Sequence, residues 1–261
     1  MNDSEDPLGP FREGYESAAR FYDLFADNSD IPFYLNYAEL QGSPILDLAA
    51  GTGRVTFALA QQGFQVYALE KSPAMLNEAH RKLSRVEKTV ARKIHLIEGD
   101  MRNFSLSKKF RLVIIPTSFG HALTTEEQLS TLRCIQEHLV DDGLFILDLF
   151  PEGAQPENAS FEEPPVKLSK GRSVIRSGVM KINSKDQIIE MDLTFTVLDE
   201  TEGKILEKTN LKSGVAIICN HEVDVLLKTS GFKIAEEFGD FNRAPYTSES
   251  GRRILALHLQ K

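Results

Sequence analysis

The feature that most constrains the fold is the segment Ile45–Arg54, with the sequence ILDLAAGTGR. Four residues suited to a buried strand precede a turn containing Gly51 and Gly53, and a helical stretch Val55–Gln62 follows before Gly63. Glycine lets the backbone bend sharply and leaves no Cβ in the path of a ligand. The first N–H groups of a helix are unpaired and carry the positive end of its dipole. The segment therefore predicts a strand, turn and helix that can bind a carboxylate or a phosphate.

Short apolar runs alternate with helical stretches along the first part of the chain. The five predicted strands of this part are Ile45–Leu48, Phe64–Leu69, Ile94–Ile97, Leu112–Ile115 and Leu144–Leu149. Continuous apolar strands separated by helices predict a parallel sheet that is covered on both faces. Two later segments, Phe232–Phe238 and Arg253–Leu259, bring the predicted sheet to seven strands. Ligands of such sheets bind at the carboxyl ends of the strands.

The composition changes along the chain and divides it into four parts. Residues 1–40 are predicted to form a helical lid, and residues 41–150 a ligand-binding core. Residues 151–217 combine the linker Pro151–Pro165 with three β-like segments that predict an antiparallel insert. Residues 218–261 supply a helix and the two closing strands. The predicted fold class is α/β, with a Rossmann-like, mostly parallel seven-stranded sheet, helices on both faces and a small antiparallel β insert.

A second informative residue is Glu70, which closes the second predicted strand. An acidic residue roughly 20 positions beyond a glycine turn can accept hydrogen bonds from two ribose hydroxyls. The alternative is a solvated acid before a turn. A dinucleotide-binding turn also requires Gly or Ala at a third position, which is Thr56 in this chain. The threonine at this position therefore disfavours NAD as the ligand.

Together these segments resemble the class I S-adenosylmethionine-dependent methyltransferases. Asp47–Gly53 resembles their first motif, Glu70 the second, Glu98–Met101 the third and Val113–Phe119 the fourth. Within that class the chain is most similar to small-molecule enzymes such as glycine N-methyltransferase and the amino-sugar N,N-dimethyltransferases. The stretches shared with those enzymes are Tyr22–Leu24, Gly51–Arg54, Ser72–Leu76 and Gly99–Arg102.

The resemblance implies S-adenosylmethionine as cofactor, S-adenosylhomocysteine as product and no metal. The family usually has Gly-Cys-Gly where this chain has Ala49-Ala50-Gly51, and the small alanines should preserve the turn. Asp47 would orient the turn or meet the ligand's amino group through water. Arg54 would either pair with the ligand's carboxylate or cover the helix surface, and Glu70 would hold the ribose. The other implied cofactor contacts are Tyr22, Ala49, Gly51, Gly53, Lys71, Met75, Gly99, Asp100, Met101 and Pro116.

The residues after the fourth predicted strand are expected to border the transferring methyl group. His121 can take the proton released by an attacking amine, or it can be a neutral histidine that satisfies local backbone groups. Tyr22 and Tyr15 can close over the sulfonium cation, or they can belong to the core of the lid. His121 and Tyr22 are therefore the catalytic candidates. The implied acceptor contacts are Tyr15, Phe119, His121, Arg243 and Tyr246, although the loop that holds the last two equally fits a plain hairpin.

The charge and hydropathy of the chain disfavour binding to nucleic acids and insertion into membranes. The net charge is −8, which disfavours binding to a phosphate backbone. No stretch approaches ~18 consecutive apolar residues, so no membrane span is expected. The polar N-terminus MNDSEDPLGP lacks the apolar core of a secretory signal, and we expect a cytoplasmic protein. The β insert either roofs the acceptor site or forms a homodimer contact.

The function predicted from the sequence is methyl transfer to a small-molecule acceptor, with nitrogen favoured over oxygen and carbon. Two alternatives stay open at this point. One is an RNA or protein methyltransferase, although Pro116–Phe119 lacks the Asn/Asp-Pro-Pro-aromatic sequence of many enzymes that methylate nucleic bases. The other is a dehydrogenase or a non-catalytic nucleotide-binding module.

Overall fold

The structure is a computed structural model that describes residues 8–150 and 158–260. The polar N-terminus up to residue 7 and the linker up to residue 157 lie outside the described residues. The helices are α1 (Ala19–Tyr22), α2 (Ile31–Gln41), α3 (Arg54–Gln61), α4 (Pro73–Leu83), α5 (Lys88–Ala91), α6 (Thr125–His138) and α7 (Asn220–Thr229). The strands are β1 (Ile45–Leu48), β2 (Val66–Glu70), β3 (Ile94–Glu98), β4 (Phe110–Ile115), β5 (Leu139–Leu149), β6 (Asn158–Glu162), β7 (Val166–Leu168), β8 (Arg172–Asn183), β9 (Ile188–Asp199), β10 (Ile205–Ala216), β11 (Phe232–Phe238) and β12 (Arg253–Leu259).

Seven strands form one sheet in the order β11-β12-β5-β4-β1-β2-β3. The five strands from β5 to β3 are parallel, whereas β12 runs antiparallel to both of its neighbours, β5 and the edge strand β11. This confirms the predicted mostly parallel, seven-stranded sheet. The chain order reverses beside β1, which lies between β4 and β2, and such a reversal opens a crevice at the carboxyl ends of the strands.

Two apolar clusters hold helices against this sheet. One joins α6 and α7 to Leu46 and Leu48 of β1, and the other joins α2 and α3 to Ile45 of the same strand. All four residues of β1 are buried, as expected for a central parallel strand. Within the described residues, no helix has the length and apolar character needed to cross a membrane.

A second, antiparallel sheet has the order β10-β9-β8-β6, and β7 also pairs with β8. The predicted antiparallel insert is confirmed, but it has more strands than the sequence suggested. Residues Asn158–Glu162 were expected in a linker, and that expectation was wrong, because they pair with β8. Gly178 of β8 makes room for this pairing, since a Cβ there would lie 3.0 Å from the ring of Phe161. The composition of residues 158–162 alone does not predict this pairing with a distant strand.

The N-terminal segment links the two sheets. It is less helical than expected, because 3₁₀ turns at Gly9–Phe11 and Glu16–Ala18 precede the short α1. The ring of Phe21 stacks on Phe195 of β9 at a centroid distance of 5.4 Å. On the other side, the Asp23 carboxylate lies 2.6 Å from the Lys82 ammonium of α4. The segment therefore contacts both the core and the insert.

Gly120 marks the closest approach of β10 to the core. An added Cβ would lie 2.3 Å from Cγ1 of Val215. We expect Gly120→Ala to lower the free energy of unfolding by about 1–3 kcal/mol, because β10 would have to move away. Chemical denaturation measures this change. Gly9→Ala is the control, since nothing lies within 4 Å of its added Cβ. Equal stability of both variants would mean that the contact at Gly120 is loose.

Candidate active site

The carboxyl ends of the parallel strands open into a cavity of about 850 Å³. That volume is within the usual range of small-molecule sites, roughly 300–1,000 Å³. The loops after β1 to β5 line one side, and the N-terminal segment and strands β8 to β10 line the other. The cavity brings together thirteen residues expected from the sequence: Tyr15, Tyr22, Ala49, Gly51, Arg54, Glu70, Lys71, Met75, Gly99, Asp100, Met101, Pro116 and His121.

The glycine turn after β1 has a left-handed backbone at Ala49, Gly51 and Gly53, with φ of 52°, 59° and 83°. A Cβ at Gly51 would lie 3.5 Å from the terminal methyl group of Met75, so its absence leaves room inside the cavity. Gly53 does not line the cavity. It precedes α3, and a Cβ there would lie 2.8 Å from the ring of Phe57. Gly51 therefore makes space for a ligand, whereas Gly53 makes space for the helix.

Glu70 at the end of β2 binds two loops through its carboxylate. One oxygen accepts a hydrogen bond from the Gly51 N–H at 2.8 Å, and the other accepts from the Ser72 N–H at 2.7 Å. Burial raises the pKa of Glu70, and these backbone hydrogen bonds oppose that rise. Each carboxylate oxygen can accept a further hydrogen bond. Glu70 therefore fixes the glycine turn and still has acceptor capacity for the hydroxyls of a sugar.

Asp47 lies beneath the turn and does not line the cavity. Its Oδ2 accepts a hydrogen bond from the Thr56 hydroxyl at 2.6 Å, and its Oδ1 has no partner among the described residues. Burial raises the pKa of Asp47 to about 7. Arg54 lines the cavity, and its guanidinium forms a two-pronged ion pair with Asp30, with Nη2 and Oδ2 2.6 Å apart. Both of these side chains are therefore oriented by the protein itself.

The loop after β3 forms another wall. Asp100 accepts hydrogen bonds from the backbone N–H and the Nε of Arg102, at 3.0 and 2.9 Å. Burial alone would raise the pKa of Asp100, but the hydrogen bonds from Arg102 hold it below its ordinary value. Lys71 lies 3.6 Å from the same carboxylate, and Met101 is buried beside it. Arg102 also lines the cavity, and its place directly after Gly99-Asp100-Met101 was a usable sequence signal.

His121 ends the 3₁₀ turn Phe119–His121 that follows β4. Burial lowers the pKa of His121, although a hydrogen bond at the Gly214 backbone opposes the shift. The imidazole is therefore neutral at neutral pH and can accept a proton. The rings of Tyr22 and Tyr15 meet edge to face at 5.0 Å on another wall, and burial raises the pKa of Tyr22 to about 12. That hydroxyl stays protonated.

Three residues expected at the acceptor site lie elsewhere. Phe119 is buried in the core. Arg243 is exposed, bonds to Asn36 and lies over the ring of Tyr37 at 4.9 Å. The hydroxyl of Tyr246 accepts a hydrogen bond from the Asn220 amide at 2.9 Å. Phe119 faces the core, whereas Arg243 and Tyr246 lie where the loop after β11 packs on α2 and α7, although Phe241 of the same loop does line the cavity.

Four arginines that line the cavity, Arg12, Arg102, Arg176 and Arg252, were not among the site residues expected from the sequence. Arg252 donates hydrogen bonds to both oxygens of the buried Asp148, at 2.9 and 3.0 Å, and lies between Phe150 and Phe241 at 4.4 and 4.9 Å. Arg176 of β8 pairs with a glutamate on the insert. Local patterns give no sign of Arg252 or Arg176, since only the pairing of distant strands brings these two arginines to the cavity.

The residues present fit an adenosine ligand with an amino-acid tail. Glu70 has spare acceptor capacity, Gly51 leaves space, and Asp47 has an unpaired buried oxygen. Among the described residues, no cluster of three metal-ligating side chains occurs.

Comparisons with known proteins agree with this geometry. Residues 45–143 match the family model of a methyltransferase domain. A dTDP-3-amino-3,4,6-trideoxy-alpha-D-glucopyranose N,N-dimethyltransferase of Streptomyces venezuelae is 30% identical over 197 residues, which cover 71% of this chain and 78% of that enzyme. The cypemycin N-terminal methyltransferase of a Streptomyces species is 24% identical, with 94% and 97% covered. The structure of the CcbJ methyltransferase from Streptomyces caelestis has a TM-score of 0.76 at 20% identity, with 94% and 97% covered.

Fold and site thus define an S-adenosylmethionine-binding methyl-transfer enzyme. The chain belongs to the S-adenosylmethionine-dependent methyltransferases, as the resemblance of its motifs indicated. S-adenosylmethionine is its cofactor.

Replacing Glu70 by Gln should weaken cofactor binding about 10- to 100-fold, the usual cost of losing a hydrogen bond to a charged group. The amide nitrogen would also face a backbone N–H donor at Gly51 or Ser72. Isothermal titration with S-adenosylmethionine measures the loss. Glu98→Gln is the matched control, since Glu98 pairs with Glu70 in register on β3 but is exposed. Similar affinities of both variants would rule out Glu70 as a ligand contact.

Proposed function

We propose that the protein transfers the methyl group of S-adenosylmethionine to an amine nitrogen of a small-molecule acceptor. The observation that supports this most is His121, which lines the cavity beyond the cofactor residues and is neutral at neutral pH. An amine loses a proton on methylation, and a neutral imidazole can receive it. Of the two relatives compared above, one is named as an N,N-dimethyltransferase of an amino sugar and the other as an N-terminal methyltransferase of cypemycin.

The proposed cofactor site divides between the strand ends. Ala49 and Gly51 border the methionine part, Asp47 reaches its amino group through water, and Glu70 holds the ribose. The adenine lies among Lys71, Met75, Gly99, Asp100 and Met101, where the methionine thioethers pack on an aromatic ring. When bound, the cofactor supplies an electrophilic methyl group on a sulfonium.

The chain's own residues position the acceptor and handle its proton. Tyr22 and Tyr15 offer ring faces and protonated hydroxyls near the N-terminal side of the cavity. Pro116 and His121 border the acceptor nitrogen. Proximity and orientation of the reacting groups account for much of the rate enhancement in such a displacement, and His121 removes the proton.

The acceptor end of the cavity is largely apolar. Its lining includes Phe150, Met180, Met191 and Phe241, together with the Arg252 guanidinium that Asp148 neutralises. Such walls favour an acceptor that enters with its amine uncharged, because apolar surroundings disfavour the charged ammonium form.

We also propose a separate function for each of the four parts of the chain. Residues 1–40 act as a lid, residues 41–150 bind the cofactor, residues 151–217 form the acceptor side, and residues 218–261 complete the sheet. The separate clusters around α6 and α7 and around α2 and α3 support helices on both faces of the sheet.

Transfer of isotopically labelled methyl groups tests the proposal directly. The purified protein is incubated with labelled S-adenosylmethionine and with amino sugars or short peptides that have a free N-terminus. We expect label on the amines and none on their hydroxyl analogues. Cofactor binding without transfer to any amine, or transfer to the hydroxyl analogue, would contradict the proposal.

His121→Asn should lower kcat about 10²- to 10⁴-fold, the range for loss of a general base, with the cofactor affinity unchanged. The neutral imidazole is the active form, so wild-type activity should fall as the pH drops through the pKa of His121. Because burial lowers that pKa, kcat at saturating cofactor should persist below the pH at which an ordinary histidine gains its proton. Steady-state pH profiles measure both effects. His80→Asn, on the exposed face of α4, is the control.

A further inference from the structure

Two fully buried polar atoms near the cofactor site lack a hydrogen-bond partner among the described residues. They are the hydroxyl of Tyr34 and Oδ1 of Asp47. Their residues are 0% and 1% exposed, so bulk water does not reach them. Buried polar groups without a partner are rare, and an ordered internal water is a common explanation.

Both atoms lie on the same side of the seven-stranded sheet. Tyr34 of α2 packs in one cluster with Ile45 and Ile146. Asp47 follows Ile45 by two residues, and Asp148 follows Ile146 by two, so each carboxylate shares a face with its apolar neighbour. The Tyr34 ring therefore lies on the side to which both carboxylates point.

The charges around the Tyr34 hydroxyl agree with that placement. Burial is the largest cause of the raised pKa of Tyr34. Four charged side chains also affect this pKa, those of Asp148, Asp30, Arg252 and Asp47. The hydroxyl is therefore a proton donor in a region rich in carboxylates. Both oxygens of Asp148 and both of Asp30 accept hydrogen bonds from arginines, whereas Oδ1 of Asp47 has no partner among the described residues and is the acceptor most in need of a donor.

We propose that Tyr34 is a positioning residue of the cofactor site, whose hydroxyl donates, through a buried water, the hydrogen bond that Oδ1 of Asp47 lacks. This rests on the proposed contact of Asp47 with the amino group of the cofactor. The Thr56 hydroxyl fixes one carboxylate oxygen, and the water fixes the other. Two donors hold the carboxylate in one orientation and favour its ionised form.

A pH dependence of binding follows. The side chains that affect the pKa of Asp47 are those of Thr56, Arg54, Glu70 and Asp30. An ionised Asp47 attracts the ammonium group of the cofactor, whereas the protonated acid does not. Affinity is therefore highest above the pKa of Asp47 and falls as the pH drops through it. Removing the Tyr34 donor raises that pKa, so the loss of affinity begins at a higher pH.

Tyr34→Phe and Tyr37→Phe form a matched pair for the test. Both tyrosines are buried on α2, but the Tyr37 hydroxyl donates to Glu236 at 2.7 Å. Isothermal titration with S-adenosylhomocysteine between pH 6 and pH 9 measures the affinities. We expect Tyr34→Phe to bind about tenfold more weakly at neutral pH, with its pH midpoint shifted upward, and Tyr37→Phe to bind like the wild type.

Two further measurements keep the inference independent of folding defects. In an Asp47→Asn background, Tyr34→Phe should have no added effect, because the hydroxyl acts through Asp47. A high-resolution crystal structure of the wild type should show a water within hydrogen-bond distance of both oxygens.

A wild-type pH profile in Tyr34→Phe, or the absence of that water, would overturn the inference while leaving the proposed function intact. Failure of the wild type to bind S-adenosylhomocysteine at any pH would instead refute the proposed function.

Discussion

The hydrogen bonds between the buried Glu70 carboxylate and the N–H groups of Gly51 and Ser72 hold the cofactor site in place. A carboxylate removed from water requires such partners. Because the two donors belong to different loops, one side chain fixes the position of the turn after β1 relative to the loop after β2. The same oxygens retain lone pairs that can accept further hydrogen bonds. In the proposed function, one side chain therefore supports the turn and also binds the ribose.

The two ends of the cavity have different origins. The cofactor end is built from short loops of the parallel sheet, each positioned by its own strand. The acceptor end requires the insert sheet, the N-terminal segment and the loops before β12 to meet, and the stacking of Phe21 on Phe195 holds part of that assembly. A site arranged in this way can keep one cofactor while the insert changes the acceptor. In the proposed function, residues far from the glycine turn in sequence would therefore select the acceptor.

Local patterns predicted the cofactor end well. The positions of Gly51 and Glu70 at the cavity were predictable because a turn and a strand end follow from a few neighbouring residues, and β11 and β12 have the predicted bounds. The acceptor end was not predictable in the same way. Arg252 reaches the cavity only because β12 pairs with β5, which places it beside Asp148. Arg243 looked suitable by composition, yet it packs on Tyr37 of α2, while Phe241 of the same loop lines the cavity. Long-range packing decides such positions, and a single sequence does not encode it locally.

Ala49 adopts a left-handed backbone that costs a non-glycine residue roughly 1–2 kcal/mol. At this position the chain bends as a glycine would allow, although the side-chain methyl group of Ala49 lies at the edge of the cavity. A search for glycine at this position would miss the turn, whereas a comparison of backbone dihedral angles would detect it.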